Sequence, residues 1–245
     1  MDERITNLIR YFIDMFIPAI IRDNRILMYP LFRYWFKERS MAEFIMDYKE
    51  RVHSLSEEEF GHFMVEFESR GSSRNTDSSF ESMDWVMQRI HKQSKTLLDV
   101  GCGKGTWLAQ CSGLGMELTG CDIFKADNFK FAKYRQGNIE ALPFSDDSFD
   151  VVTCFFTLEH VRHLQQALNE LKRVTRRQLF IAVPCQRYFK YTFDTHVHFF
   201  YSPTYFQSLV GIPKSEYALV GPRRIEHILY YGEVDGNTDW LKPFL

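Results

Sequence analysis

The chain has 245 residues, 45% of them hydrophobic, enough to bury a sizeable core as one large domain or one domain with an extension. Its 30 Lys and Arg against 32 Asp and Glu give a formal net charge of −2. That balance argues against a protein built mainly to hold a phosphate backbone, which needs clustered positive charge.

The first residues, Met1-Asp2-Glu3-Arg4, are acidic and unlike a secretory leader. Ile5, Leu8, Ile9, Phe12, Ile13, Phe16 and Ile17 then recur at i, i+3, i+4 and i+7, one face of a helix. That face should pack on the core or against a second copy, giving a homodimer. The off-stripe residues Arg4, Asn7, Arg10 and Asp14 mix charges, which disfavours a membrane surface. Pro18 should end or kink this helix. Further helical patterns cover Ile26 to Phe36 and Met41 to Val52, and Ser54 or Ser56 sits at capping-box distance from Glu58 and Glu59. Arg70 to Ser79, RGSSRNTDSS, is almost wholly small and polar and reads as a linker or mobile loop. Phe80 to His91 reads as a helix. Residues 1–92 are thus expected to form a helical extension or cap, and residues 93–245 a second unit.

That unit opens with Leu97, Leu98 and Val100, an apolar run of the kind that forms a strand buried on both faces. Gly101, Gly103 and Gly105 follow at every second position before a helix-compatible run from Thr106. Glycines so spaced allow positive φ in a tight turn and let a ligand approach the backbone. Asp122 lies about 20 residues on, after the apolar run Leu118 to Cys121, where a carboxylate can take both hydroxyls of a ribose. The pattern says nucleoside cofactor, but G-x-G-x-G is not the G-x-G-x-x-G that cradles a pyrophosphate. Asp99, two residues before the first glycine, would repel a pyrophosphate and suits a ligand with an ammonium group. S-adenosylmethionine (SAM) carries that ammonium, a ribose diol and no phosphate.

The motif resembles the first motif of class I SAM-dependent methyltransferases, with a core like that of type 11 methyltransferase domains. LTGCDIF (Leu118–Phe124), GNIEALPFSDDSFDVV (Gly137–Val152) and FFTLEHV (Phe155–Val161) continue the likeness in order. It covers roughly Lys95 to Val234. Strands are expected near 96–100, 117–121, 132–136, 149–155 and 178–183, with helices near 162–175 and 203–210 and further strands at 217–221 and 225–233. The expected fold is α/β: a Rossmann-like seven-stranded, mostly parallel sheet flanked by helices. The resemblance implies that the last two strands form a hairpin with one strand antiparallel. Only about nine residues separate Asp122 from the third strand, too few for a helical crossover.

Ligands bind at the carboxyl ends of strands in such sheets. The expected cofactor residues are therefore Asp99, Gly101, Cys102, Gly103, Gly105, Asp122, Ile123, Asn138, Ile139, Phe156 and Thr157. In the resembled family an Asp often stands where Asn138 does, accepting from the adenine amino group. Methyl transfer from a sulfonium is mainly a matter of alignment. His160, His196 and Glu159 are the candidates should the acceptor need a base. His160 with His163, and His196 with His198, are pairs able to converge on a metal, but no metal ligand is assigned. Tyr188, Phe189, Tyr191, Phe193, Phe199, Phe200 and Tyr201 suggest an aromatic-walled acceptor pocket, or core. Lys172, Arg173, Arg176 and Arg177 read as a solvated helix end.

The five cysteines, Cys102, Cys111, Cys121, Cys154 and Cys185, are odd in number and read as small buried residues of a reducing compartment. No uncharged run approaches the ~20 residues that span a bilayer, and the expected location is cytoplasmic. The implied function is methyl transfer from SAM to a small-molecule O, N or S acceptor. An RNA- or protein-modifying enzyme and an inactive SAM-fold binding module are the alternatives, near-neutral charge disfavouring nucleic acid.

Overall fold

A computed structural model describes residues 16–71, 79–125, 129–130, 132–221 and 226–234. Buried apolar runs set the strands: β1 (Thr96–Val100), β2 (Glu117–Asp122), β3 (Lys133–Gln136), β4 (Phe149–Phe155), β5 (Thr175–Pro184), β6 (Ser215–Val220) and β7 (His227–Glu233). They form one seven-stranded sheet in the order β3-β2-β1-β4-β5-β7-β6. The strands β1 to β5 run parallel, and β7 is antiparallel to both β5 and β6. This is the mostly parallel sheet the sequence predicts, hairpin included. The chain leaves β1 outward through β2 and β3, then returns to β4 on the other side. The carboxyl ends of β1 and β4 therefore flank the topological switch point, where open α/β sheets bind ligands.

Adjacent strand residues point to opposite faces, and here both faces are covered. Leu98, Val100, Val152, Cys154, Leu179 and Ile181 share a core with Leu168 and Leu171 of α7 (Leu164–Val174) and Phe206 of α8 (Pro203–Val210). Leu97, Val151 and Phe180 pack on the other face against Trp107 and Leu108 of α6 (Thr106–Cys111) and Met83 and Val86 of α5 (Phe80–Met87). Each such residue, nearly sealed from water, contributes about 1.5–3 kcal/mol. Between β2 and β3 no helix is present among the described residues, as the short connection requires.

The N-terminal helices are α1 (Ala19–Arg22), α2 (Arg25–Phe36), α3 (Arg39–Arg51) and α4 (Glu57–Gly71). The predicted stripe Ile5 to Ile17 lies outside the described residues except for Phe16 and Ile17. Asn24 starts α2 by accepting from the N–H groups of Ile26 and Leu27 at 2.9 and 3.3 Å. Ser56 and Glu59 form a reciprocal capping box at 2.8 and 3.2 Å ahead of α4. The proposed linker is partly helix: α4 runs through Arg70 and Gly71, and Ser79 caps α5 by accepting from Ser82 N–H at 3.1 Å. Residues 72–78 lie outside the described residues.

Of the two readings left open for the aromatic segment, core holds for Tyr191 and Phe193, which join the helical core, with Phe193 stacked on Phe32 at 4.5 Å between ring centroids. Lys49 of α3 ties the same segment down, donating to Thr192 Oγ1 at 2.8 Å and Lys190 O at 3.1 Å. One expectation is corrected for half of the basic cluster: Lys172 and Arg173 are not solvated, whereas Arg176 and Arg177 are exposed, at the start of β5. Lys172 is buried and donates to Val210 O at 3.1 Å, and Arg173 binds the carbonyls of Phe144 and Leu142 as well as Glu170. Burial pushes the Lys172 ammonium down to about 8.

Candidate active site

The loop after β1 turns with three positive φ angles, +74° at Gly101, +48° at Gly103 and +76° at Gly105. These are left-handed conformations that side chains rarely adopt. Each glycine meets a different surrounding. A Cβ at Gly101 would lie 2.0 Å from Thr157 Oγ1 and one at Gly105 2.8 Å from the Phe129 ring, whereas nothing lies within 4 Å of one at Gly103. Gly103 is therefore where the loop backbone stands open to a ligand. Its N–H donates to Asp122 Oδ2 at 2.8 Å, which locks the loop to the end of β2. Asp122 also accepts from Phe124 N–H at 3.4 Å.

Below the loop, Asp99 is buried and accepts from the Thr153 hydroxyl at 2.7 Å, and Trp107 Nε1 donates to the same hydroxyl at 3.2 Å. Burial pushes the Asp99 carboxyl up to about 7; the Thr153 hydrogen bond opposes this and the neighbouring Asp122 charge adds to it. Thr153 and Trp107 were not among the sequence candidates. The one available signal was a hydroxyl inside the apolar run Val151 to Cys154. Cys102 is buried, its sulfur 2.8 Å from where a Cβ on Gly120 would stand.

On the β2–β3 side, Ile123 is half-buried and its carbonyl accepts from Gln136 Nε2 at 2.8 Å. Asn138 Oδ1 accepts from Glu140 N–H at 2.9 Å, and its Nδ2 donates to Glu57 of α4 at 3.4 Å. Ile139 packs into the main core. At the end of β4, Phe156 holds a φ of +51°, a strained conformation of the kind that clusters at functional sites. Its ring meets His227 edge-on at 4.7 Å.

The histidine rim separates into two groups. The carbonyl of Glu159 accepts from the N–H groups of Val197 and His198 at 2.7 and 3.1 Å. That pairing brings the 194–198 segment beside the end of β4, and places the His160 and His196 rings 4.9 Å apart. Donor atoms of Glu159, His160 and His196 all lie within 4.8 Å of one another. His163 turns away to Glu140 at 2.8 Å, and His198 to the Val161 carbonyl at 2.9 Å. The predicted sequence neighbours do not pair; one histidine from each pair does.

Glu140 also accepts from the backbone N–H groups of Arg162 and His163 at 2.7 and 3.0 Å. Burial works to raise its pKa, but these bonds and the His163 ring outweigh it and hold the carboxyl below its ordinary range. The Arg162 guanidinium lies 3.6 Å from the same carboxylate and also donates to the Leu55 carbonyl at 2.9 Å. Sequence reading missed this arginine, which joins the helical unit to the rim of the sheet.

A backbone cradle, an acid at the end of the neighbouring strand and a polar rim at the switch point fit a nucleoside ligand. Residues 98–182 match the methyltransferase domain family. The fold is that of class I methyltransferases. Bacillus subtilis YcgJ superposes with a TM-score of 0.50 at 16% identity, over 63% of this chain and 98% of that one. The PH0226 protein from Pyrococcus horikoshii gives 0.54 at 16% identity, over 69% and 99%. The demethylmenaquinone methyltransferase of Geobacillus kaustophilus is 33% identical over 147 residues, 52% of this chain and 59% of that protein. The chain spans 36–60% of the length of the first curated relatives it matches. The matched stretch holds the glycine loop, Asp122, Asn138 and the Glu159-His160 pair; His196 lies beyond it.

Proposed function

We propose that the protein is a SAM-dependent methyltransferase acting on a small-molecule O, N or S acceptor. The observation that carries the reading is Gly103, open on its ligand side and bonded through its N–H to Asp122 at 2.8 Å. In this reading Asp122 takes the ribose hydroxyls, and Ile123 covers one adenine face. Asn138 and Ile139 border the adenine, with Asn138 Oδ1 using its second lone pair. Gly101, Cys102 and Gly105 shape the loop. Asp99, Phe156 and Thr157 surround the methionine part, the Asp99 carboxylate drawing the ammonium group. The sulfonium methyl is already electrophilic, so positioning supplies most of the rate. Glu159, His160 and His196 face the acceptor.

A demethylmenaquinone methyltransferase and a malonyl-[acyl-carrier protein] O-methyltransferase among the relatives support a small organic acceptor group. Residues 1–92 serve as a cap on the core 93–245. The deciding experiment incubates the chain with methyl-deuterated SAM and a metabolite extract and follows deuteromethyl products by mass spectrometry. A labelled small molecule and free S-adenosylhomocysteine are expected. Label found only in RNA or protein, or no S-adenosylhomocysteine at all, would overturn the proposal. Hydrogen exchange tests the cap: S-adenosylhomocysteine should slow exchange in residues 57–71, and identical exchange in both states would remove it.

A further inference from the structure

We infer that Glu159, His160 and His196 form a binding site for a divalent transition metal of the zinc class at the acceptor side of the cleft. Two imidazoles and a carboxylate are the donor set zinc takes where one position stays open to water or substrate. A tetrahedral ion with bonds of ~2.0 Å sets its ligands ~3.3 Å apart. The three donor atoms, all within 4.8 Å of one another, reach that spacing by small torsional movements.

The outer contacts point the same way. Metal-binding histidines turn their other ring nitrogen to an oxygen that fixes tautomer and ring orientation. His196 Nδ1 lies 2.9 Å from Gln186 Oε1, and His160 Nδ1 lies 2.8 Å from Thr195 Oγ1. An amide oxygen only accepts, so Nδ1 of His196 carries the hydrogen and Nε2 the lone pair. The Thr195 hydroxyl, able to accept from His160 Nδ1, holds that ring in place. Asp194 Oδ2, 3.6 Å from His196 Nδ1, adds negative charge behind that ring. Glu159 and Thr195 are almost fully buried, and the two N–H bonds to the Glu159 carbonyl hold the segments together. A lone catalytic base needs one imidazole. The two rings stand 4.9 Å apart, and a metal uses both.

The metal's use, though not its binding, rests on the methyl-transfer reading. It favours an acceptor bearing a hydroxyl or enol. Bound to the ion, that oxygen gives its proton to solvent more readily. Its electron pair then forms a bond to the sulfonium methyl while the carbon–sulfur pair returns to sulfur, leaving S-adenosylhomocysteine uncharged at sulfur.

The test uses the untagged full chain, stripped with a chelator and titrated with cobalt(II) and zinc. One equivalent of cobalt should bind with visible d–d absorption, and zinc should displace it. His160→Gln and His196→Gln should each lower zinc affinity more than tenfold, and Gln186→Ala by about 10–100-fold. His163→Gln, whose ring faces Glu140, should leave it unchanged. Absence of stoichiometric binding, or equal affinity in all four variants, would overturn the inference. Zinc bound without methyl transfer from any acceptor would keep the site and refute the methyl-transfer reading. Full transfer by a chain that binds no zinc would refute the site alone.

Discussion

Replacing Asp99 with Asn tests whether the fold carries a buried acid for the sake of its ligand. The substitution keeps an oxygen for the Thr153 hydroxyl, now at 2.7 Å, and removes the titration. Burial raises the carboxyl from 3.8 to about 7, so the folded chain binds this proton more tightly than the unfolded chain. Its contribution to stability is therefore fully present below pH 4 and is lost as pH rises through 7. At 1.36 kcal/mol per pH unit, the loss is about 4 kcal/mol above pH 7. Urea unfolding of the two proteins should give similar stabilities near pH 4. By pH 8 the gap should grow to about 2–4 kcal/mol in favour of the Asp99→Asn variant. The same substitution should weaken SAM binding, because only the carboxylate attracts the ammonium. A stability gap that does not change with pH would refute the buried-acid reasoning. A more stable variant with undiminished SAM affinity would move Asp99 out of the cofactor site.

Asp122→Ala should cost on the order of 2–4 kcal/mol in SAM affinity by calorimetry, since it removes the ribose acceptor and leaves the Gly103 N–H without its 2.8 Å partner. Gly103→Val should cost stability, since φ is +48°, but still fold, with no atom within 4 Å of the added Cβ, and it should fail to bind SAM because the side chain fills the open face. Lys172→Met should stabilise the chain by about 1–2 kcal/mol at pH 7. Burial lowers that ammonium to about 8, so its cost is absent above pH 10.5, grows as pH falls to 8 and is level below. In urea unfolding the gain should therefore fade as pH rises from 8 to 10.5.

Strands were legible because a strand buried on both faces writes itself as an unbroken apolar run; Leu97-Leu98 and Val151-Val152 divide between the two faces. The glycine loop was legible because its conformation restricts residue type, as the three positive φ angles show. Long-range pairings were not. Tyr191 and Phe193 read equally as pocket or core, and only the docking of α2 and α3 decides for core. The meeting of His160 with His196 depends on two backbone bonds to the Glu159 carbonyl, which carry no residue signature. Lys172 and Arg173 read as surface charge because spacing does not reveal that carbonyls of Val210, Phe144 and Leu142 surround them.

The strand order leaves β3 and β6 outermost, and an uncovered strand edge invites a second copy to add itself. The β3 edge is only four residues long, with exposed Lys133 and Arg135 along it. Two molecules meeting there would set like charges against each other. Among the described residues the β6 edge is less guarded: exposed Tyr217 and Leu219 accompany the single acid Glu216. Should this protein ever begin to self-associate on heating or at high concentration, the sheet would grow from the β6 side, and a lysine at position 219 would be the place to stop it.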